Sequence, residues 1–144
     1  MIQLVHIPKD KIDEAWHHVE SNIADALSRS NGYALASNFK EWLKENRMQL
    51  WMLWDAEKEN KYYGVVVTEI IQRPLQRCLN IKIMIGRDRD KWQHLVKEIE
   101  EFAWFNNCDS MELIARPGWE KVLKRFGYKK SHVLLEKHNK KEKK

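Results

Sequence analysis

Apolar positions recur along this chain in two periods, and the changes of period divide it into elements. Ile2 to Ile7 alternates and predicts a short strand closed by Pro8. From Asp10 or Lys11, a helix carries Ile12, Ala15, Trp16, Val19, Ile23, Ala26 and Leu27 at three- and four-residue spacing, one apolar stripe that stops over Ser28 to Gly32. A second helix is expected from Leu35 to Asn46, with Leu35, Phe39, Trp42 and Leu43 facing inward. The period then shortens to two. Met48 to Trp54, Tyr62 to Ile71 and Leu79 to Ile85 read as three strands, joined by a polar turn at Lys58 to Lys61 and a Pro74-containing turn at Arg73 to Gln76. Gly86 ends the third strand. Asp88 and Asp90 precede a helix whose stripe is Trp92, Leu95, Val96, Ile99, Phe102 and Ala103, ended by Asn106 and Asn107. Ser110 to Ala115 is a strand. Pro117 suits the first turn of a helix that buries Val122, Leu123 and Phe126, and Gly127 suits its end. Tyr128 to Glu136 is predicted as the last strand.

The order β-α-α-β-β-β-α-β-α-β predicts an α/β (α+β) fold, a mixed central sheet of about six strands with helices on both faces. The strand-helix-strand unit from Leu79 to Ala115 should place its two strands parallel, through a right-handed crossover.

Composition narrows the function classes. The chain has 144 residues, 43% hydrophobic and 33% charged, enough for one domain with a packed core, expected over residues 1–137. The remaining 138–144 form a basic tail expected to lack fixed structure. The net charge of +5 comes partly from Lys140, Lys141, Lys143 and Lys144. No stripe of Lys and Arg interleaved with aromatics marks a nucleic-acid face, so nucleic acid is not an expected partner. No run approaches the ~20 apolar residues of a membrane span, and no signal peptide is read. Cys78 and Cys108 make no disulfide framework, which suits a cytoplasmic protein. The six histidines are scattered and lack ligand spacing, so no metal is expected. Among the seven tryptophans, Trp16, Trp42 and Trp92 fall on helix stripes, and Trp51 lies on the strand face opposite Leu50 and Met52. Trp51, Trp104 and Trp119 are candidates for an exposed aromatic surface, whereas covered sheet faces would bury them all.

The element order resembles the GNAT (N-acetyltransferase) superfamily over nearly the whole chain. Gly127-Tyr128 after the helix Trp119 to Phe126 is similar to the Gly-aromatic pair that precedes the final hairpin in many GNATs. Gln49-Leu50-Trp51, Val67-Thr68-Glu69-Ile70, Cys108-Asp109 and Arg116-Pro117-Gly118-Trp119 together resemble a group of small bacteriophage proteins with a GNAT-like fold. That second likeness implies a phage origin and a place in the host cytoplasm or the virion.

The superfamily resemblance implies acetyl-CoA in a gap where the fourth and fifth strands splay apart. The matching region is Ile83 to Trp92, with the pantetheine along Ile83 and Met84. A phosphate would meet the loop and helix start through Gly86, Arg87, Arg89 and Lys91, because helix N-termini offer unpaired N–H donors. The usual loop pattern is Gln or Arg, two residues, Gly, one residue, then Gly or Ala. With Arg87 first, the small positions fall on Asp90 and Trp92, a carboxylate and an indole. Asp90 also suits an N-cap that would occupy the same N–H groups.

Acetyl transfer needs a base for the amine, an oxyanion donor and an acid for the thiolate. Glu69, in mid-strand beside Thr68, is the leading base, or else a solvated carboxylate; Glu112 has the same ambiguity. Many GNATs use a Tyr as acid where this chain has Leu123. Tyr128 lies past the helix, a poor substitute but the nearest phenol in sequence, and it is the candidate acid. Arg116 ends a strand before a helix and is the candidate substrate-binding residue, or a partner of Asp109 or Glu112.

Two functions follow as expectations. One is an acetyl-CoA-dependent N-acyltransferase with an atypical phosphate loop, acting on an amine acceptor. The other is a catalytically inactive GNAT-like protein that binds a protein partner, for a phage a host factor or virion component. Either suits a monomer or a homodimer.

Overall fold

The computed structural model describes residues 1–29, 33–115 and 117–139. They form two compact units, Met1–Ile114 and Ala115–Lys144.

The first unit is built on a five-stranded mixed sheet in sequence order. Its strands are β1 (Gln3–Ile7), β2 (Gln49–Trp54), β3 (Tyr62–Gln72), β4 (Arg77–Gly86) and β5 (Ser110–Leu113). Neighbouring strands run antiparallel as far as β4, and β5 joins β4 in parallel. That parallel pair needs a crossover, which α3 (Val96–Phe105) supplies.

One face of the sheet is covered by α1 (Ile12–Ser28) and α2 (Ala36–Lys44). The stripe read from the sequence is the stripe that packs: Ile12, Ala15, Trp16, Val19, Ile23 and Leu27 are buried against Leu50, Met52, Val65, Val67 and Ile83. Each fully buried aliphatic side chain of that set contributes ~1.5–3 kcal/mol of transfer free energy. Lys40 and Lys44 meet Asp13 at 3.4 and 2.9 Å and bind α2 to α1 at the surface. Leu35 departs from the expectation. It precedes α2 in extended backbone and is exposed, because its N–H is held by the Asn38 carboxamide at 2.9 Å outside the helix.

The other face carries α3. Alternation along β2 sends Trp51 there, where Phe102 of α3 meets it edge-on with 5.0 Å between centroids and His6 stacks on it at 4.6 Å. The Trp51 indole donates to Thr68 Oγ1 at 3.0 Å, and Thr68 donates to Gln49 Oε1 at 2.8 Å. Trp16, Trp51 and Trp92 are buried, whereas Trp104 is exposed, so burial does not extend to every tryptophan.

In the second unit, α4 (Pro117–Lys124) buries Val122 and Leu123. The turn after it closes with Gly127 at φ 90° and the Tyr128 N–H on the Leu123 carbonyl at 3.1 Å. The strand expected over Tyr128 to Glu136 is not formed. That segment has no regular structure, and Val133, Leu134 and Leu135 are exposed. Apolar pattern alone does not make a strand; a ladder partner must satisfy its backbone. Residues 140–144 of the basic tail lie outside the described residues.

Candidate functional site

The site begins where two strands part. Parallel rungs join β4 to β5 from Cys78↔Ser110 to Ile81↔Leu113. There β5 ends, while β4 runs on to Gly86. The backbone from Lys82 to Gly86 therefore has β3 on one side and no β5 rung on the other, among the described residues. At the same point β4 is bulged. Val67 pairs with Ile83 and Thr68 with Ile81, so Lys82 has no opposite number. Bulges re-aim side chains next to active sites, and crevices at carboxyl ends of strands are the usual ligand sites of open α/β sheets.

The re-aimed Lys82 places Nζ 3.0 Å from Glu69 Oε1, with the two side chains 20% and 23% exposed. Glu69 is paired in register with Asn80. The Asn80 amide donates to Glu112 Oε1 at 3.1 Å. Arg73 grips Glu112 with two bonds, at 2.8 and 3.3 Å, and also donates to Cys78 Sγ. Arg73 holds the Glu112 carboxyl below its usual range. Burial raises the Cys78 thiol, which is then a poor nucleophile. Glu112 is thus committed to Arg73, and Asp109 accepts the Arg77 N–H at 2.9 Å. Arg116, their expected partner and the candidate substrate residue, lies outside the described residues.

Beyond the point where the strands part, Gly86 pairs with Gly64, and neither has room for a Cβ. Gly86 is needed for this close approach of strands. Arg87 turns back over β3. It donates to the carbonyls of Tyr62 at 3.2 Å and Asn60 at 2.7 Å, pairs with Asp88 at 3.3 Å, and lies 3.8 Å above the Tyr63 ring. Asp88 then takes a left-handed conformation, φ 54°. The helix expected from Asp88 or Asp90 begins instead with two 3-10 turns, Arg89–Lys91 and Gln93–Leu95, and becomes α-helical at Val96. Neither turn has a side-chain cap, so Asp90 does not cap it. Trp92 is buried and its indole donates to the Arg87 carbonyl at 2.7 Å, which ties the turn closed. Ile83 is buried and Met84 is half-buried on β4. Arg89 is half-buried and Lys91 exposed on the first turn.

In the second unit Leu123 is buried, and Tyr128 follows Gly127 half-buried. An approximately 410 Å³ cavity there is lined by Glu120, Lys124, Gly127, Tyr128, Lys129 and Lys130. Among the described residues no group of three or more His, Cys, Asp or Glu is placed to hold a metal, and no helix is long and apolar enough to cross a membrane.

No family model matches the sequence, and no curated protein matches it. Solved structures do match the chain. A probable acetyltransferase superposes with a TM-score of 0.69 at 10% identity, covering 99% of each chain. A GCN5-related N-acetyltransferase from Ralstonia eutropha JMP134 gives 0.68 at 15% identity over 96% of this chain and 99% of its own. A predicted acetyltransferase from Clostridium acetobutylicum, solved with acetyl-CoA, gives 0.67 at 17% over 96% of each. This chain has the GNAT fold. Identities this low carry the architecture and leave chemistry to the site. In this GNAT fold the fourth and fifth strands part beyond Ile81↔Leu113, and the bulge at Lys82 lies between the third and fourth strands. At the turn Asp90 is exposed and Trp92 buried, and in α4 the buried Leu123 has no proton to donate.

Proposed function

We propose that the protein is an N-acyltransferase of GNAT type that uses acetyl-CoA and a primary amine acceptor. One observation carries this reading: β4 parts from β5 at a bulge, and the Glu69 carboxylate stands beside that bulge. The cleft suits the extended pantetheine arm, because the β4 backbone from Lys82 to Gly86 has no β5 rung. Acetyl-CoA, when bound, supplies an acyl group already activated as a thioester.

The chain's residues have distinct roles in this proposal. The Ile83 and Met84 backbone holds the arm. The uncapped turn, with Arg89 and Lys91, offers positive charge to phosphates. Gly86 and Arg87 hold that turn against β3. Glu69 takes the proton from the acceptor amine.

Isothermal titration with acetyl-CoA and with free CoA tests the reading. Binding that weakens in the Arg89→Ala/Lys91→Ala variant is expected. No heat and no thermal stabilisation at millimolar cofactor would sink it.

A second reading, a GNAT-fold binder of a protein partner without catalysis, is favoured by the turn itself. Trp92 fills space that a small residue leaves open, and Asp88 and Asp90 add carboxylates where phosphates would approach. Silent titration with intact folding would select it.

A further inference from the structure

Lys82 is set apart from the other lysines in ion pairs. In the pairs seen among the described residues, Lys11, Lys40, Lys44 and Lys91 have side chains 35–61% exposed, while Lys82 is 20% exposed. Its partner Glu69 is 23% exposed, so both members are enclosed. Among the described residues no other pair has both members this covered. Lys82 is also the residue that the β3–β4 register skips, and the first on β4 beyond the last rung to β5. An ordinary structural ion pair has no need of that place. A primary amine held 3.0 Å from a carboxylate, at the mouth of a cleft suited to a thioester, has the parts of an acyl-acceptor site.

We propose that Lys82 is itself acylated, with the protein acting on its own amine and Glu69 as the base. The proposal rests on the acyltransferase reading. In the step, the Glu69 carboxylate accepts a proton from Lys82 Nζ. The Nζ–C bond forms at the thioester carbonyl, and the C–S bond breaks. The second Nζ proton passes through water to the leaving thiolate, and an amide remains on Lys82. No oxidant or reductant is required. The product has lost the Lys82 charge, so Glu69 loses its ion-pair partner. Acylation would therefore alter the mouth of the cleft that the acceptor must use.

The experiment incubates the full chain with acetyl-CoA, and separately with the small thioester S-acetyl-N-acetylcysteamine, and maps acetylated lysines by mass spectrometry over time. Lys82 should be labelled at least tenfold faster than the exposed Lys129 and Lys130, and faster in the folded than in the urea-unfolded chain. Glu69→Gln should remove that preference. Lys82→Arg, which keeps the charge, should show no label at residue 82 and an unchanged Tm. Acetyl-CoA that binds by titration but labels all lysines alike overturns the Lys82 proposal and leaves the acyltransferase standing. Acetyl-CoA that neither binds nor labels overturns both. Labelling of Lys82 at equal rate in Glu69→Gln removes Glu69 from the step and overturns the proposal as stated.

Discussion

Gly64 and Gly86 oppose each other across β3 and β4 so closely that a Cβ on Gly86 would lie 2.6 Å from the Gly64 Cα and collide with the Tyr63 carbonyl. The obstacle is backbone, which cannot turn aside as a side chain does. Gly86→Ala is therefore expected to cost about 1–3 kcal/mol, as overpacking does. It should also displace the turn at Arg89–Lys91. Chemical denaturation and acetyl-CoA titration check it, and an unchanged stability would show that the strands separate freely.

Arg87 is held by the same strand end. Its bonds to the Tyr62 and Asn60 carbonyls and its stacking over Tyr63 brace the turn from the β3 side. Arg87→Ala should lower Tm and weaken acetyl-CoA binding together. Arg87→Lys should recover little of either, because an ammonium cannot supply the planar stacking and the forked donors. A variant that loses binding with Tm unchanged would make Arg87 a direct phosphate ligand.

The Trp51–Thr68–Gln49 chain of hydrogen bonds lies inside the sheet, with Thr68 fully buried. Thr68→Val keeps the shape and removes both bonds, leaving a buried indole N–H without its acceptor. The expected loss is ~1–3 kcal/mol. Thr68→Ser should recover most of it. A Ser variant less stable than the Val variant would mean that the methyl, and not the hydroxyl, matters at this position.

Two histidines couple the fold to pH. Burial lowers the pKa of His6 below 6.5, and burial followed by the His17 charge lowers that of His18. The unfolded chain then binds more protons than the folded one as pH falls through about 6.5. Stability contributed by the neutral rings is full above that value and declines below it, until the folded pKa is passed. Urea denaturation between pH 7.5 and 5.5 should show a decline that is smaller in His6→Gln/His18→Gln. Carboxylates titrate below this window, so a decline of the same size in the variant would assign it elsewhere.

The elements were legible where one residue pattern decides one contact. The α1 stripe reads directly because helix period and core face coincide; six of the seven positions that the spacing marks are buried, and Ala26 is partly buried. The site was less legible because its parts meet only in three dimensions. Lys82 reads as an ordinary polar position in an alternating strand, and only the register with β3 reveals the bulge. Arg73 reads as a turn residue, yet it binds Glu112, 39 positions away. Tyr128 to Glu136 has strand composition, but backbone pairing is not written in composition.

Glu69 gives the sharpest test of the proposed chemistry. Its carboxylate meets Lys82 at 3.0 Å beside the bulge where β4 leaves β5. Glu69→Gln keeps the size and can still accept a hydrogen bond from Lys82, so folding and acetyl-CoA affinity should hold. It cannot accept the amine proton. With an amine acceptor identified, kcat should fall about 10²–10⁴-fold, the usual worth of general-base catalysis. Raising the pH should recover part of the loss, because more of the amine is then already neutral. An unchanged kcat would remove Glu69 from the reaction. A fall in kcat that pH does not relieve would assign the carboxylate to holding Lys82 rather than to moving a proton.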